Sequence, residues 1–265
     1  YVERNQLALQ QLEEQKTQQK LQFPQTTKTN TTEQLNNLHD DDETTFFTKI
    51  FGAKYPQLLQ CLSQPPFKIQ KPSSVQRLVI PELLKGQDVL CAAQTGTGKT
   101  LSYVLPMLIR MKNDENERKK SLKNLGDETS EKFLLSSDEK SEKLEKLEKQ
   151  RPKFVILVPS RELVTQVSNI IKQVGHFLKL RCVALRSDLE NARMKRDLNS
   201  RVDVVVSTPG VFVKMHQKGA LYLSRVKYVV VDEADTLLSK DFKQELTENV
   251  LLPIRDKGTD NFDDE

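Results

Sequence analysis

The sequence predicts an α/β protein built on a parallel β-sheet with helices on both faces. Five short runs of apolar and β-branched residues lie between residues 88 and 231, and each suits a strand whose two faces are covered. Helical patterns separate these runs, and the alternation of strand, helix and strand implies a parallel sheet. Ligands of such sheets collect at the carboxyl ends of the strands, so the segments after the runs are the candidate functional segments.

The predicted elements follow one another along the chain without long gaps, except for one charged stretch. In chain order, the predicted strands are 88–92, 154–158, 182–185, 202–207 and 228–231. The predicted helices are 100–111, 161–179, 189–199 and 210–217. Each helix lies between two strands, as a right-handed crossover between parallel strands requires.

The rest of the chain differs in composition. Residues 1–42 are rich in Gln, Asn, Thr and Lys and are expected to be disordered, because they carry too few apolar residues to bury a face. Residues 43–253 are predicted to form the folded domain, and 254–265 a tail or the start of a linker. The charged residues 112–151 are interpreted as a solvated insertion with some helix, and a coiled-coil partner site is the alternative.

Charge and cysteine content exclude some classes of protein. Lysine and arginine number 41 against 37 acidic residues, a mildly basic balance that permits a polyanionic partner without requiring one. Cys61, Cys91 and Cys182 have no paired spacing, so neither a disulfide nor a zinc site is expected. No apolar run approaches the length that spans a bilayer, and a membrane partner is therefore not expected.

A glycine-rich stretch, CAAQTGTGKT, follows the first predicted strand. Gly96 and Gly98 allow the backbone to bend so that its N–H groups reach phosphate oxygens. A helix beginning near Lys99 would add its positive end, Lys99 a charge for the outer phosphates, and the Thr100 hydroxyl a ligand for Mg²⁺. The predicted phosphate-binding residues are Ala93, Gln94, Thr95, Gly96, Thr97, Gly98, Lys99 and Thr100.

An acidic pair follows the last predicted strand, in YVVVDEADTLL. Asp232 leaves the strand end, where its carboxylate can hold Mg²⁺ through a water shell, and Glu233 can polarise a water for attack on a terminal phosphate. Alone, such a pair is more often a helix cap or a turn. Together with a phosphate loop in the same sheet, it predicts nucleotide hydrolysis with Lys99, Asp232 and Glu233 as catalytic residues, and with Thr100 and Asp232 as the metal ligands.

Five motifs resemble those of the DEAD-box RNA helicases, specifically their first RecA-like domain, both in their residues and in their order along the chain. Residues 232–235 read DEAD, 93–100 match the family's phosphate loop, 71–76 (KPSSVQ) its adenine motif, and 159–163 (PSREL) and 207–210 (STPG) its RNA motifs. The resemblance covers about residues 46–253. It implies a RecA-like P-loop NTPase fold, ATP and Mg²⁺ as cofactors, and RNA as a partner.

The resemblance also assigns further residues to sites. Ile69, Lys71 and Gln76 would join the nucleotide site, with the Gln76 amide reading the adenine edge. The implied RNA-binding residues are Pro159, Ser160, Arg161, Glu162, Thr208, Pro209 and Gly210. Without the resemblance, Ser160 would be interpreted as a helix cap and Pro209-Gly210 as a turn.

Three departures from the family pattern stand out. Ile69 replaces the usual aromatic residue next to adenine, the usual Gly-Gly pair is absent from residues 185–191 (LRSDLEN), and Val211 replaces an arginine. With CAA before TGTGKTLSY and with VPSREL, these features resemble the mitochondrial DEAD-box helicases that act in assembly of the mitochondrial ribosome's large subunit. The resemblance implies a monomer that acts on ribosomal RNA and ribonucleoprotein in mitochondria, with a nuclear or cytoplasmic location as the alternative.

The expected activity is ATP-dependent local unwinding or remodelling of RNA. Up to Glu265 the sequence contains no Ser-Ala-Thr motif and no second RecA-like domain, which in this family supplies an arginine finger, so the isolated chain is expected to be nearly inactive. Two alternatives stay open. One is a nucleotide-gated RNA clamp or assembly scaffold with little turnover, and the other is a DNA helicase on the same fold.

Overall fold

The computed structural model describes residues 46–52, 54–128, 149–189, 191–239, 243–244 and 246–256. The segment predicted to be disordered, 1–42, lies outside the described residues, as do residues 129–148 of the charged insertion and the tail from residue 257. Within the described residues, no helix is both long enough and apolar enough to cross a membrane.

Helices and strands alternate through the described part of the chain. The helices are α1 Pro56–Ser63, α2 Ser74–Lys85, α3 Lys99–Glu128, α4 Arg161–Leu178, α5 Asn191–Leu198, α6 Pro209–Gln217, α7 Ala234–Leu237 and α8 Leu252–Asp256, with π-helical turns at Thr48–Gly52 and Thr247–Leu251. The strands are β1 Phe154–Leu157, β2 Cys182–Leu185, β3 Val204–Ser207 and β4 Tyr228–Val231. Four of the five predicted strands are therefore confirmed.

The four strands form one parallel sheet in the order β2-β3-β1-β4. Phe154 lies beside Val204 on one side and Tyr228 on the other, and Cys182 lies beside Val204. The register aligns the carboxyl ends of all four strands at one edge of the sheet. The predicted parallel α/β architecture is confirmed.

Successive strand residues pack into two different cores. Phe154, Ile156, Val204 and Val206 contribute to a core that also contains buried residues of α3 and α4. Val155, Leu157 and Val205 contribute to a second core with buried residues of α5 and α6. Both faces of the sheet are covered, which is why its strands are continuous apolar runs. Full burial of each such side chain stabilises the fold by about 1.5–3 kcal/mol.

The predicted strand at 88–92 is wrong in this structure. The segment forms no ladder with any described strand, and the side chain of Leu90 is 94% exposed. Its apolar composition suits a buried strand, but a strand also needs a neighbour to satisfy its backbone N–H and C=O groups. Among the described residues, the outer edge of β4 carries no such neighbour.

The predicted end of the first helix at Met111 is also wrong, because α3 continues from Lys99 to Glu128. The first part of the charged insertion therefore extends this helix. Lys112 pairs with Glu115 at 2.9 Å, one turn later, and Asp114 accepts hydrogen bonds from Lys227 and from Tyr228 of β4. Pairs at this spacing stabilise a helix of charged residues, and the contacts with Lys227 and Tyr228 anchor it to the sheet.

Candidate nucleotide and RNA site

The carboxyl edge of the sheet brings four motif segments into one row. The strand order places LRSD after β2, STPG at the end of β3, PSREL after β1 and DEAD after β4. Backbone hydrogen bonds continue the alignment past the strands: the Val158 N–H donates to the Ser207 carbonyl at 3.0 Å, and the Asp232 N–H donates to the Leu157 carbonyl at 3.0 Å. The segments predicted for RNA and for catalysis are thus neighbours.

The glycine-rich loop has an open, accessible backbone. Gly96 and Gly98 have φ values of 82° and 86°, which other residues adopt only with strain, and α3 begins immediately afterwards at Lys99. The Thr97 hydroxyl donates to the Gln94 carbonyl at 2.8 Å, and the Lys99 ammonium donates to the Ala93 carbonyl. The helix start and the lysine charge therefore lie at the same loop, as phosphate binding requires.

Gln76 connects the adenine motif to this loop. Its side chain is 3% exposed and forms a capping box with Ser73 at the start of α2. The amide oxygen accepts from the Ser73 N–H at 3.0 Å, and the amide nitrogen donates to the Gly98 carbonyl at 3.3 Å. Both ends of the amide are thus bonded within the protein, so the predicted contact with adenine stays a prediction.

Ile69 and Lys71 lie on the segment that leads into α2. The Ile69 N–H donates to the Leu62 carbonyl at 2.7 Å, and its half-buried side chain packs against the first core. Lys71 is exposed. Their predicted role in nucleotide binding stays a prediction.

Tyr103 joins the loop helix to the acidic motif. Its hydroxyl donates to Oδ2 of Asp232 at 2.8 Å, across 129 residues of chain, while Oδ1 of Asp232 accepts the Glu233 N–H at 3.0 Å. Burial raises the pKa of Tyr103, the negative charge of Asp232 raises it further, and a hydrogen bond with the Thr100 side chain lowers it. Tyr103 therefore places the two predicted metal ligands, Thr100 and Asp232, at the same part of the site.

Sequence reasoning did not identify Tyr103. The residue lies one helical turn after Thr100, so the 3.6-residue period puts both side chains on one helix face. The Tyr103 hydroxyl beside Thr100 is the only local feature that points to the site. It does not identify a partner, because Asp232 lies 129 positions later in the sequence.

Glu233 has an unusual backbone conformation. Its φ and ψ values are 51° and 49°, in the left-handed region, where a non-glycine residue costs on the order of 1–2 kcal/mol. Its side chain is exposed, and the residue directly follows Asp232 at the carboxyl edge. This geometry leaves the carboxylate accessible to water, as its predicted role requires.

The donor set at this site suits Mg²⁺. Thr100 and Asp232 offer a hydroxyl and a carboxylate, and Mg²⁺ prefers such oxygen ligands while keeping several waters. No group of three or more His, Cys, Asp or Glu side chains in the described part of the chain could hold a metal ion. A magnesium ion at this site would therefore need phosphate oxygens and water to complete its coordination.

The segments predicted to contact RNA start two helices. The Ser160 hydroxyl caps α4 by accepting the Leu163 N–H at 3.3 Å, and Arg161 pairs with Glu162 at 2.8 Å on the surface. This pairing lowers the pKa of Glu162. Thr208 precedes α6 without a side-chain cap, and Pro209 is the first residue of that helix.

The departures from the family pattern have structural counterparts. Val211, which stands in place of an arginine, is 9% exposed and packs into the second core, so it contributes to stability rather than to the surface. In the LRSDLEN segment, Arg186 pairs with Asp188 through its Nε at 2.9 Å. A charged pair therefore occupies the loop in which a glycine pair was expected.

Solved structures share this fold. A hypothetical ATP-dependent RNA helicase from Sulfolobus tokodaii superposes with a TM-score of 0.54 at 22% identity, over 73% of this chain and 45% of its own. The yeast DEAD-box splicing factor Prp28 superposes with a TM-score of 0.58 at 25% identity, over 76% of this chain and 41% of its own. The fold and the site therefore define a RecA-like P-loop domain.

The family follows from the sequence itself. Residues 73–255 match the DEAD/DEAH box helicase family, and the chain belongs to this family. A protein named probable ATP-dependent RNA helicase DDX28 from Mus musculus is 35% identical over 71% of this chain and 30% of its own length. The mitochondrial ATP-dependent RNA helicase mrh4 from Neurospora crassa is 35% identical over 67% of this chain and 32% of its own length. The chain thus spans about a third of these relatives.

Proposed function

We propose that this chain is the nucleotide-binding part of an ATP-dependent RNA helicase that locally unwinds or remodels RNA. The observation that supports this most strongly is the hydrogen bond from Tyr103 to Asp232, which joins the phosphate-loop helix to the DEAD segment. A glycine loop alone is compatible with many nucleotide-binding proteins. A loop joined to an acidic strand end, in a member of this family, favours ATP hydrolysis.

The residues have separate roles in the proposed mechanism. The backbone N–H groups of residues 93–100 and the Lys99 ammonium would bind the phosphates, and the Thr100 hydroxyl and the Asp232 carboxylate would hold Mg²⁺. The ion, when bound, neutralises charge that develops on the phosphates. Glu233 orients the attacking water and accepts its proton, because its carboxylate is accessible beside the metal ligand.

The RNA would lie along the ends of β1 and β3. Backbone N–H groups near Pro159 to Glu162, the Arg161 guanidinium and the turn at Thr208 to Gly210 would contact phosphate and sugar, and such contacts carry little sequence information. The choice of target is therefore left to other segments or to protein partners. The mitochondrial name of the Neurospora crassa relative supports a mitochondrial location. A role as a monomer in ribosome assembly is proposed on the resemblance alone.

The test is ATP hydrolysis by the protein at its full natural length, with and without a mixed RNA pool, beside a Glu233→Gln variant. We expect RNA to stimulate hydrolysis and the variant to lose about 100-fold or more in rate while staying bound to RNA in the presence of ATP. Residues 1–265 alone are expected to hydrolyse ATP barely.

Other outcomes would contradict the proposal in different ways. No turnover, with RNA retention unchanged in the variant, would indicate a clamp or scaffold. Equal competition by DNA and RNA strands of the same sequence would indicate a helicase without RNA preference, since 2′-hydroxyl contacts should favour RNA.

A further inference from the structure

A cleft of about 450 Å³ lies along the outer edge of β2, between α4 and α5. In the described part of the chain β2 pairs only with β3, and the strand order puts it at the opposite end of the sheet from β4. Residues 182–184 of β2 line the cleft itself. This cleft is therefore separate from the phosphate loop, and the proposed nucleotide site does not account for it.

The cleft is strongly basic. Lys172 of α4, Arg193 of α5, and Arg181 and Arg186 at the two ends of β2 all line it, against a single carboxylate, that of Asp197. Lys172 and Arg193 are exposed, and neither forms an ion pair or a hydrogen bond with another described residue. Arg186 is paired with Asp188, so the net positive charge of the cleft comes mainly from Lys172, Arg193 and Arg181, and it favours an anionic ligand.

The cleft also adjoins the segments proposed to contact RNA. Arg186 directly follows β2, and β2 lies beside β3, whose end carries the turn at Thr208. The pKa of Arg161 in PSREL is raised mainly by its partner Glu162, is raised further by the charge of Asp188 and is lowered by that of Arg186. Arg161 therefore lies close to this end of the cleft. One surface therefore runs from the carboxyl edge of the sheet down the outer edge of β2.

We propose that this cleft binds the phosphate backbone of an RNA strand and extends the RNA path beyond the carboxyl edge of the sheet. Arg181 and Arg186 are five residues apart on an extended segment, or about 16 Å at the rise of a strand, which leaves room for more than one phosphate. Guanidinium groups bind phosphate oxygens in pairs, and such contacts are independent of sequence. The inference rests on the proposed function.

An acidic peptide would also suit the charge of the cleft. It would bind as an added strand, and β2 offers only the four residues Cys182–Leu185 for backbone pairing. Binding of an acidic peptide would also leave unexplained why the cleft adjoins the segment around Arg161. RNA explains both the charge and the position of the cleft.

The experiment measures RNA affinity against salt concentration for the full-length protein with a non-hydrolysable ATP analogue. The variant carries Lys172→Gln and Arg193→Gln, and the probes are oligouridines of about 6 and about 20 nucleotides. For the long RNA, we expect the slope of log affinity against log salt to fall by about 1.4, which is two phosphate contacts at about 0.7 each. The slope for the short RNA should stay unchanged.

The matched control carries Lys195→Gln and Arg196→Gln. These two cations are also exposed and lie on α5, but they do not line the cleft, and the charge change is the same. An equal fall in slope for this control would show a general charge effect and overturn the proposal. An unchanged slope in the cleft variant would also overturn the proposal. If that variant instead loses binding to poly-glutamate, the cleft is assigned to an acidic protein.

Failure of the cleft and failure of the proposed function are distinguishable. If the unmodified protein binds the short RNA only with the ATP analogue, the helicase proposal stands whatever the cleft variant does. If the unmodified protein binds neither RNA, both proposals fail. Melting temperatures of both double variants would confirm that the exposed substitutions leave the fold intact.

Discussion

Two apolar segments of the chain have similar sequences but different structures. Residues 88–92 (DVLCA) and β2 (CVAL) are both short apolar runs that contain a cysteine. β2 pairs with β3 at all four residues, and its Cys182 is buried. Residues 88–92 pair with no described strand, Leu90 is 94% exposed, and Cys91 is exposed as well.

The difference shows that a strand depends on its neighbour as much as on its own residues. Side-chain composition indicates that a segment could be buried on both faces, but the backbone hydrogen bonds must come from another strand. β4 is half-buried along its whole length, and its outer edge carries no described partner. The glycine-rich loop and the helix α3 that follows it are held instead by side-chain bonds, from Gln76 to Gly98 and from Tyr103 to Asp232.

The largest expected effect concerns the two cysteines. Burial raises the pKa of Cys182 to about 12. At pH 8 only about one molecule in 10⁴ would carry the Cys182 thiolate, the form that reacts. We expect iodoacetamide to alkylate Cys91 of residues 1–265 at least about a thousandfold faster than Cys182 under native conditions, measured by peptide mass spectrometry.

Two controls sharpen this comparison. In denaturant the two cysteines should react at similar rates, because the protection of Cys182 comes from the fold. Equal, slow labelling of both cysteines in the native state would contradict the exposed placement of residues 88–92. Protection of Cys91 in a longer form of the protein would show that additional chain supplies a partner strand.

The next effect tests whether side-chain bonds hold the phosphate loop. A Cβ added at Gly98 would lie 2.6 Å from Nε2 of Gln76, and Gln76 cannot move away without breaking its capping box. We expect Gly98→Ala to lower the free energy of unfolding by about 2–3 kcal/mol, the sum of backbone strain and a lost hydrogen bond. Urea unfolding measures this quantity.

Gly96→Ala is the matched control for this prediction. Gly96 has a similar φ of 82°, but an added Cβ there would meet nothing within 4 Å. The control should therefore show only the backbone cost, about 1 kcal/mol. Equal losses in the two variants would mean that Gln76 does not hold the loop.

The sequence predicted more of the sheet than of the site. The bounds of β2 and β4 were correct to the residue, and α4 and α6 were correct to within one residue, because short apolar runs and helical periodicity are clear local patterns. The bonds of Tyr103 to Asp232 and of Gln76 to Gly98 join residues 129 and 22 positions apart, and no local pattern indicates them. The packing of Val211 into the core was missed for the same reason.

Tyr103→Phe removes the bond that joins the loop helix to the DEAD segment. Tyr103 is 8% exposed and the acceptor of its hydroxyl is a carboxylate, so we expect a loss of about 2 kcal/mol in unfolding free energy. Tyr228→Phe is the control, because its hydroxyl donates to Asp114 at 3.1 Å at a half-buried position, and Lys227 still bonds Asp114 at 2.8 Å. A larger loss in the control would contradict a special role for Tyr103.

The smallest expected effect concerns the residues that precede α4 and α6, where local contacts shape the segments proposed to bind RNA. Ser160→Ala removes the hydroxyl that accepts the Leu163 N–H, and loss of such a cap costs about 1 kcal/mol of unfolding free energy. Thr208→Ala removes a hydroxyl at the corresponding position of α6, which makes no cap bond, and should change stability little.

If RNA affinity falls equally in both variants while only Ser160→Ala loses stability, the two hydroxyls contact RNA independently of capping. If affinity falls only in Ser160→Ala, in step with the lost stability, the serine acts on RNA solely through the start of its helix.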